Sequence, residues 1–319
     1  MKSSNQKQEN SLQMATRGAT DRSRVAFPLN TVEILREAVK LPARNEKLML
    51  QLMILLLTPL YLLVLIHNLL AGPLLHKVED DYEQSSVDQN DVRSLLGIEL
   101  LLAGVFSILS LCGITLTIYA SSTIYTGKHV EFSDLFSWIR VSWKNPLITW
   151  LYISFLTAIY IVLIIIIVKL LSVIISSSIW GWVVGILAVV LYHYLSAQWA
   201  LALVVSVVEE DCGGRKAVIR ARKQIAGREI QGWFLMGILA VISIPICVVF
   251  YVVITDDDDE LGPLTQFGFG FFATVILCLD MFFTFVVFSV FWYECKQRYG
   301  EMESEAGHSL VCHELGVHN

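Results

Sequence analysis

Charge is what this chain has least of. Only 16% of its 319 residues are Asp, Glu, Lys or Arg, while 55% are hydrophobic and the mean hydropathy is +0.62. A soluble chain carries roughly a quarter charged residues, so a soluble enzyme and a disordered scaffold are both excluded. Cysteine is present but badly placed for cross-linking. Cys112, Cys247 and Cys278 fall inside apolar runs, and Cys212, Cys295 and Cys312 fall in segments assigned below to the cytosol, which excludes a disulfide-stapled secreted domain. No Asn-x-Ser/Thr sequon occurs. Walker loops, HExxH, Gly-x-Ser-x-Gly, paired CxxC and the basic-aromatic stripe of a nucleic-acid binder are also missing. The chain is therefore read as a non-enzyme with no cofactor, no metal site and no nucleic-acid partner. His308 and His313 flank Cys312 within a polar tail and are not read as ligands.

What is present is a set of long apolar runs, at about 48–70, 97–120, 147–170, 178–208, 232–254 and 267–293. Each can cross a hydrocarbon core ~30 Å thick at ~1.5 Å per helical residue. Their continuous apolarity excludes the alternation of a barrel strand. The expected fold is all-α: a polytopic integral membrane bundle of six transmembrane helices over residues 30–295. Residues 1–29 read as a disordered cytosolic tail and 296–319 as a cytosolic C-terminal tail. The first 47 residues are too polar for a secretory signal, and Glu9 and Asp21 argue against a transit peptide. Leu48–Leu70 is then an uncleaved anchor. The fourth run is too long for a straight crossing, so it tilts or projects into the cytosol.

Orientation follows from where the cations sit. Of the 23 Lys and Arg residues, all but Lys77, Arg93 and Lys169 fall in the N-terminal segment, the loops after spans 2 and 4, or the C-terminal tail. Both termini are thus expected in the cytosol. The opposite face is acidic, with Glu79, Asp80, Asp81, Glu83, Asp88, Asp91 and the run Asp256–Glu260. That run lacks the ligand register of a calcium loop and reads as a solvated turn.

Each outward hairpin of two spans is preceded by a cytosolic segment with helical periodicity. Before span 1, Asn30-x-x-Glu33 reads as a capping box, with Val32, Leu35, Ala38 and Val39 on one side and Pro42 and Asn45 ending the helix. Before span 3, Ser133 caps a helix with Leu135, Phe136, Ile139 and Trp143 on one face. Arg140 and Lys144 flank that face, and Asn145-Pro146 ends the helix. Before span 5, Gly213-Gly214 opens a segment with Ala217, Val218, Ala221 and Ile225 on one side, and Arg215, Lys216, Arg220, Arg222, Lys223 and Arg228 fill the rest. The arrangement is three amphipathic-helix-plus-hairpin units. Such helices are expected in the headgroup plane, apolar side down, with the six cations contacting anionic lipid.

The stretch Trp199-Ala200-Leu201-Ala202-Leu203-Val204-Val205-Ser206-Val207-Val208-Glu209, followed by Gly214, Ala217, Arg220 and Gly227, resembles a largely uncharacterised family of plant multi-pass membrane proteins. It is more distantly similar to the membrane domain attached to some bacterial glycerophosphodiesterases. The resemblance implies a six-span fold in an endomembrane or the plasma membrane of a plant, and it transfers no catalytic residue.

Two ionisable residues lie at membrane depth: Asp280 at the centre of span 6 and His193 near the middle of span 4. A carboxylate there costs about 2.5–3.5 kcal/mol on insertion scales, so it must be neutral, paired or facing water. His193 and Asp280 stand at similar depths and can pair if spans 4 and 6 are neighbours. Such a pair either serves a proton or cation path or fixes helix packing. Pro59 and Pro245 stand inside spans 1 and 5, as in the discontinuous helices of transporters. Glu99 sits near the outer edge of span 2 and can snorkel. Gly104, Gly113 and Gly181-x-x-x-Gly185 suit close helix contacts. Cys295, beside basic residues after span 6, is a candidate palmitoylation site. Two functions are carried forward. The first is lipid organisation or binding through the basic in-plane helices, with membrane lipids, anionic ones included, as partners. The second is a transporter or channel for a small solute or ion using Asp280 and His193. A cytosolic protein partner is compatible with both.

Overall fold

The computed structural model describes residues 30–70, 74, 77–78, 89–128, 130–174, 178–255 and 263–314. The expected N-terminal tail and the acidic residues Glu79–Asp88 and Asp256–Glu260 lie outside them. Among the described residues the structure is helical throughout, with no strand. The helices are α1 Thr31–Arg44, α2 Glu46–Leu70, α3 Gln89–Tyr125, α4 Phe132–Ser142, α5 Lys144–Ile174, α6 Ser178–Val208, α7 Arg215–Ile225, α8 Glu229–Thr255 and α9 Pro263–Glu314. Five of them are long and apolar enough to cross a membrane, or six if α7 and α8, which bend by 105° at their junction, are taken as one broken span. The apolar helices are those of an integral membrane protein.

The prolines do not break the spans. Pro59 stands inside a continuous α2, and Pro245 inside a continuous α8, so the half-helix expectation is not met; a membrane helix re-satisfies the freed carbonyl locally. Nor does the chain unravel after residue 295, because α9 runs on to Glu314. No proline follows Pro263, and the stretch is rich in Glu, Gln, Lys and Arg, which are good helix formers.

Burial is concentrated at one end of the bundle, called here the basic end. There α9 packs on α1, α2, α3, α6, α7 and α8. Trp292, Phe288 and Phe291 of α9, Leu201 and Val204 of α6 and Ile118 of α3 are fully buried. Toward the other end the same helices open to their surroundings, with Trp182 of α6 and Phe272 of α9 74% and 64% exposed. α5 lies at the margin, packed mainly on α6, and none of its spanning window is buried.

The short helices close the basic end, and two of them turn their apolar faces into protein. α1 buries Ile34, Ala38 and Leu41 while Val32 and Val39 are exposed. Its core face is therefore rotated from the Val32/Val39 face expected, because α9 and α3 cover the Ile34 side. α7 buries Ala217, Ala221 and Ile225 as expected, together with Gln224. The faces that these two helices bury are thus covered by protein. α4 differs: only Leu135 is buried, and Phe136, Val141 and Trp143 remain exposed. Its N-cap is Glu131 rather than Ser133, with the Glu131 N–H donating to Asp134 Oδ2 at 3.0 Å.

Candidate functional site

The turn between α6 and α7 organises the basic end. Glu209 ends the apolar run of α6 with its side chain almost covered, ion-paired to Arg220 Nε of α7 and, at 3.7 Å, to Lys296 Nζ of α9. Gln224 Nε2 donates to Glu209 Oε1 at 2.9 Å, and the Trp292 indole N–H donates to Gln224 Oε1 at 2.9 Å. Lys296 lies over the Trp292 ring, 4.6 Å from its centroid. One carboxylate thus ties three helices together, and a half-buried charge is tolerable only with such partners. Glu209, Gln224 and Trp292 were not singled out from sequence as functional. The available signal was Gln224 standing on the apolar face of α7 one position from Ile225.

The backbone supports this turn in a way that requires glycine. Gly214 has φ +58°, and a Cβ there would stand 3.0 Å from Ile148 Cγ2. Its N–H donates to Thr149 Oγ1 of α5 at 2.8 Å. Asp211 also has positive φ, +57°, a region that Asp and Asn tolerate better than most residues. Cys212 lies buried beside the turn. Burial first, and then the Glu209 carboxylate, push its thiol up from the usual range.

Two clefts open on either side of this turn. The α7 cleft, about 860 Å³, is lined by Lys216, Arg220, Lys223 and Lys296 with Ile219 and Tyr299. The α4 cleft, about 610 Å³, lies between the ends of α3 and α6 and the α4 segment, with Lys128, Lys144, Ser122 and Trp138 in its walls. Glu209, Glu210 and Asp211 border both.

Of the six cations expected to contact lipid, Arg215, Lys216, Arg222 and Lys223 are exposed. Arg220 is exposed but held by Glu209. Arg228 is not available to lipid. It is 6% exposed, donates from Nε to Gln231 Oε1 at 2.7 Å, and lies over Phe291, 5.4 Å from the ring centroid. Cys295 is likewise misplaced as an acylation site, because at 1% exposure it is packed in the core. The α9 face carrying it is covered by the short helices, which a reading of α9 alone does not reveal.

At membrane depth, the expected Asp280–His193 pair is not formed. Both residues instead face α8. Asp280 Oδ2 accepts a 2.6 Å hydrogen bond from Ser243 Oγ. The His193 ring meets Trp233 edge-on at 6.2 Å and faces Gly237, and its Nε2 has no hydrogen-bond partner among the described residues. Glu99 does not snorkel alone but meets His67 Nε2 of α2 at 2.8 Å. Of the glycines, Gly113 permits close approach, with Leu56 occupying the space a Cβ would need, whereas Gly104, Gly181 and Gly185 face open space. The cysteines whose side chains are described, Cys112, Cys212, Cys278 and Cys295, are free thiols.

No curated protein and no solved structure matches the chain. Residues 23–306 match the model of a family described as a domain of unknown function, DUF8558. The match starts ahead of α1 and ends late in α9, so it contains the Glu209 turn and both clefts. With nearly the whole chain inside one family model, the protein belongs to the DUF8558 family.

Proposed function

We propose that this protein is a six-span, non-enzymatic integral membrane protein of an endomembrane or the plasma membrane. In this reading it binds anionic lipid at its cytosolic face, and both termini are cytosolic. The three helix-plus-hairpin units are retained, but the lipid-binding element is the α7 cleft rather than an in-plane apolar stripe. The observation that carries the reading is the lining of that cleft. Lys216, Arg220, Lys223 and Lys296 supply donors for a phosphate, while exposed Ile219 and Tyr299 offer apolar surface to the part of the lipid below it. Glu209 is already paired with Arg220 and Lys296, and with Glu210 and Asp211 also at its border the cleft still holds four cations against three carboxylates. Each Lys or Arg near an anionic leaflet contributes about 1 kcal/mol.

The test compares wild type with Lys216→Glu/Lys223→Glu in phosphatidylcholine nanodiscs with and without phosphatidylglycerol. Ligand binding to the native state raises apparent stability, so phosphatidylglycerol raises the wild-type Tm and leaves the double variant unmoved. An equal shift in both removes the reading. Arg220 is left intact because its reversal would also break the Glu209 tie.

A second reading, a transporter or channel for a small solute or ion, is favoured by Asp280 and His193 facing the same helix at membrane depth. It expects pH-dependent flux in proteoliposomes that Asp280→Asn abolishes while the variant remains folded. Unchanged flux in that variant defeats the assignment.

A further inference from the structure

We propose that the α4 cleft is a second, independent ligand site, and that it takes a phosphoethanolamine group. The cleft is a half-open space of about 610 Å³. Among the residues lining it is Ser122, 4% exposed, whose Oγ has no hydrogen-bond partner among the described residues. A buried hydroxyl left unpaired is unfavourable, so the wall of the cleft holds an unmet polar demand. The neighbouring Thr123 and Thr126 hydroxyls donate to backbone carbonyls instead.

The charges at the cleft narrow the ligand class. Lys128 and Lys144 bracket the α4 segment, one before it and one after it. Glu210 and Asp211 come from the turn after α6. All four are exposed, and none takes part in an ion pair among the described residues. A ligand bearing only negative charge meets the two carboxylates, and one bearing only positive charge meets the two lysines. A ligand with both satisfies both, with a phosphate accepting from lysine ammonium groups and the Ser122 hydroxyl, and a primary ammonium donating to Glu210 and Asp211. A quaternary choline fits less well. It has no N–H to donate, and the aromatics at the cleft are taken up in stacks, Tyr119 on Trp138 at 4.4 Å and Tyr293 on Tyr125 at 5.0 Å, rather than opened into a cage. The exposed Phe136 and Val141 of α4 and Trp143 at its C-cap suit a helix at a bilayer surface, where the same chemistry is available as a lipid headgroup.

The experiment measures Tm and apparent affinity in phosphatidylcholine nanodiscs to which phosphatidylethanolamine, phosphatidylglycerol or free phosphoethanolamine is added. The proteins are wild type, Lys128→Glu/Lys144→Glu and Glu210→Gln/Asp211→Asn; the last keeps residues that tolerate the positive φ at 211. Phosphatidylethanolamine is expected to stabilise wild type, and each double variant to weaken its apparent affinity by about tenfold or more. A shift with the lipid but not with free phosphoethanolamine supports a headgroup site, and an equal shift with both supports the same chemistry from a soluble source. The proposal is overturned if neither phosphatidylethanolamine nor free phosphoethanolamine gives a shift in monodisperse wild type. It is also overturned if the shift survives either double variant. Failure of the α7 cleft would appear separately, as a missing response to phosphatidylglycerol with the phosphatidylethanolamine response intact.

Discussion

Single side chains at membrane depth behave according to what they donate to or accept from. Ser243 donates to the part-buried Asp280 at 2.6 Å, so Ser243→Ala is expected to destabilise by about 1 kcal/mol or more, toward the range for stranding a polar group away from water. Asp280→Asn retains an acceptor for that hydroxyl and should cost far less; denaturant titration in detergent separates the two. At the α1 surface, Glu37 bonds Lys40 Nζ at 2.7 Å and Arg44 Nη2 at 3.2 Å. The Lys40 hydrogen bond is the main reason its carboxyl lies below the usual range, with Arg44 adding to it. A depressed folded-state value stabilises the fold above the ordinary carboxylate range and loses that contribution as pH falls through the folded value. The Tm difference between wild type and Glu37→Gln should therefore be present at neutral pH and vanish in acid. It should be small, since exposed pairs contribute about 0.2–1 kcal/mol. Cys212 and Cys295 are both buried, and the Cys212 thiol is pushed further toward its unreactive protonated form. Maleimide at neutral pH should leave both unlabelled until the protein is denatured.

At the scale of an element, the α6–α7–α8 connection is where the backbone is most constrained. Gly214→Ala places a Cβ at positive φ against Ile148 and should cost about 1–3 kcal/mol. The same change at Gly181 or Gly185, which face open space, should be neutral or slightly stabilising, as Ala is the better helix former. Thermal melts of the three variants check the contrast. α1 shows how far element-level reading reaches. Its start at Asn30, its capping box and its end at Asn45 were readable, and Asn45 Oδ1 indeed accepts from the Leu48 N–H of α2 at 3.4 Å. Which stripe it buries was not readable, because Val32 and Val39 are as apolar as the Ile34 and Leu41 that are covered. That choice belongs to α9 and α3.

The molecule as a whole is tight at the basic end and open at the other. Trp292 sits where the tight end is tied, between Gln224 and Lys296. Trp292→Ala is expected to cost about 3–5 kcal/mol, with loosening of α7 visible as faster hydrogen exchange there while the α5 span is unaffected. The same change at Trp182, exposed on the open half of α6, should leave stability nearly unchanged.

Composition and the positions of apolar runs were enough to establish a helical membrane chain, the limits of most helices and the cations of the α7 segment, because hydropathy and helical periodicity are local properties of the backbone. The partners of the polar groups were not legible. Asp280 chose Ser243 over His193, Arg228 turned inward over Phe291, Cys295 went into the core, and Glu209 became a tie among three helices. Each of these depends on which helix lies beside which and at what rotation. Only the packed bundle settles that, since it sets which faces are covered and which charged groups come within bonding distance.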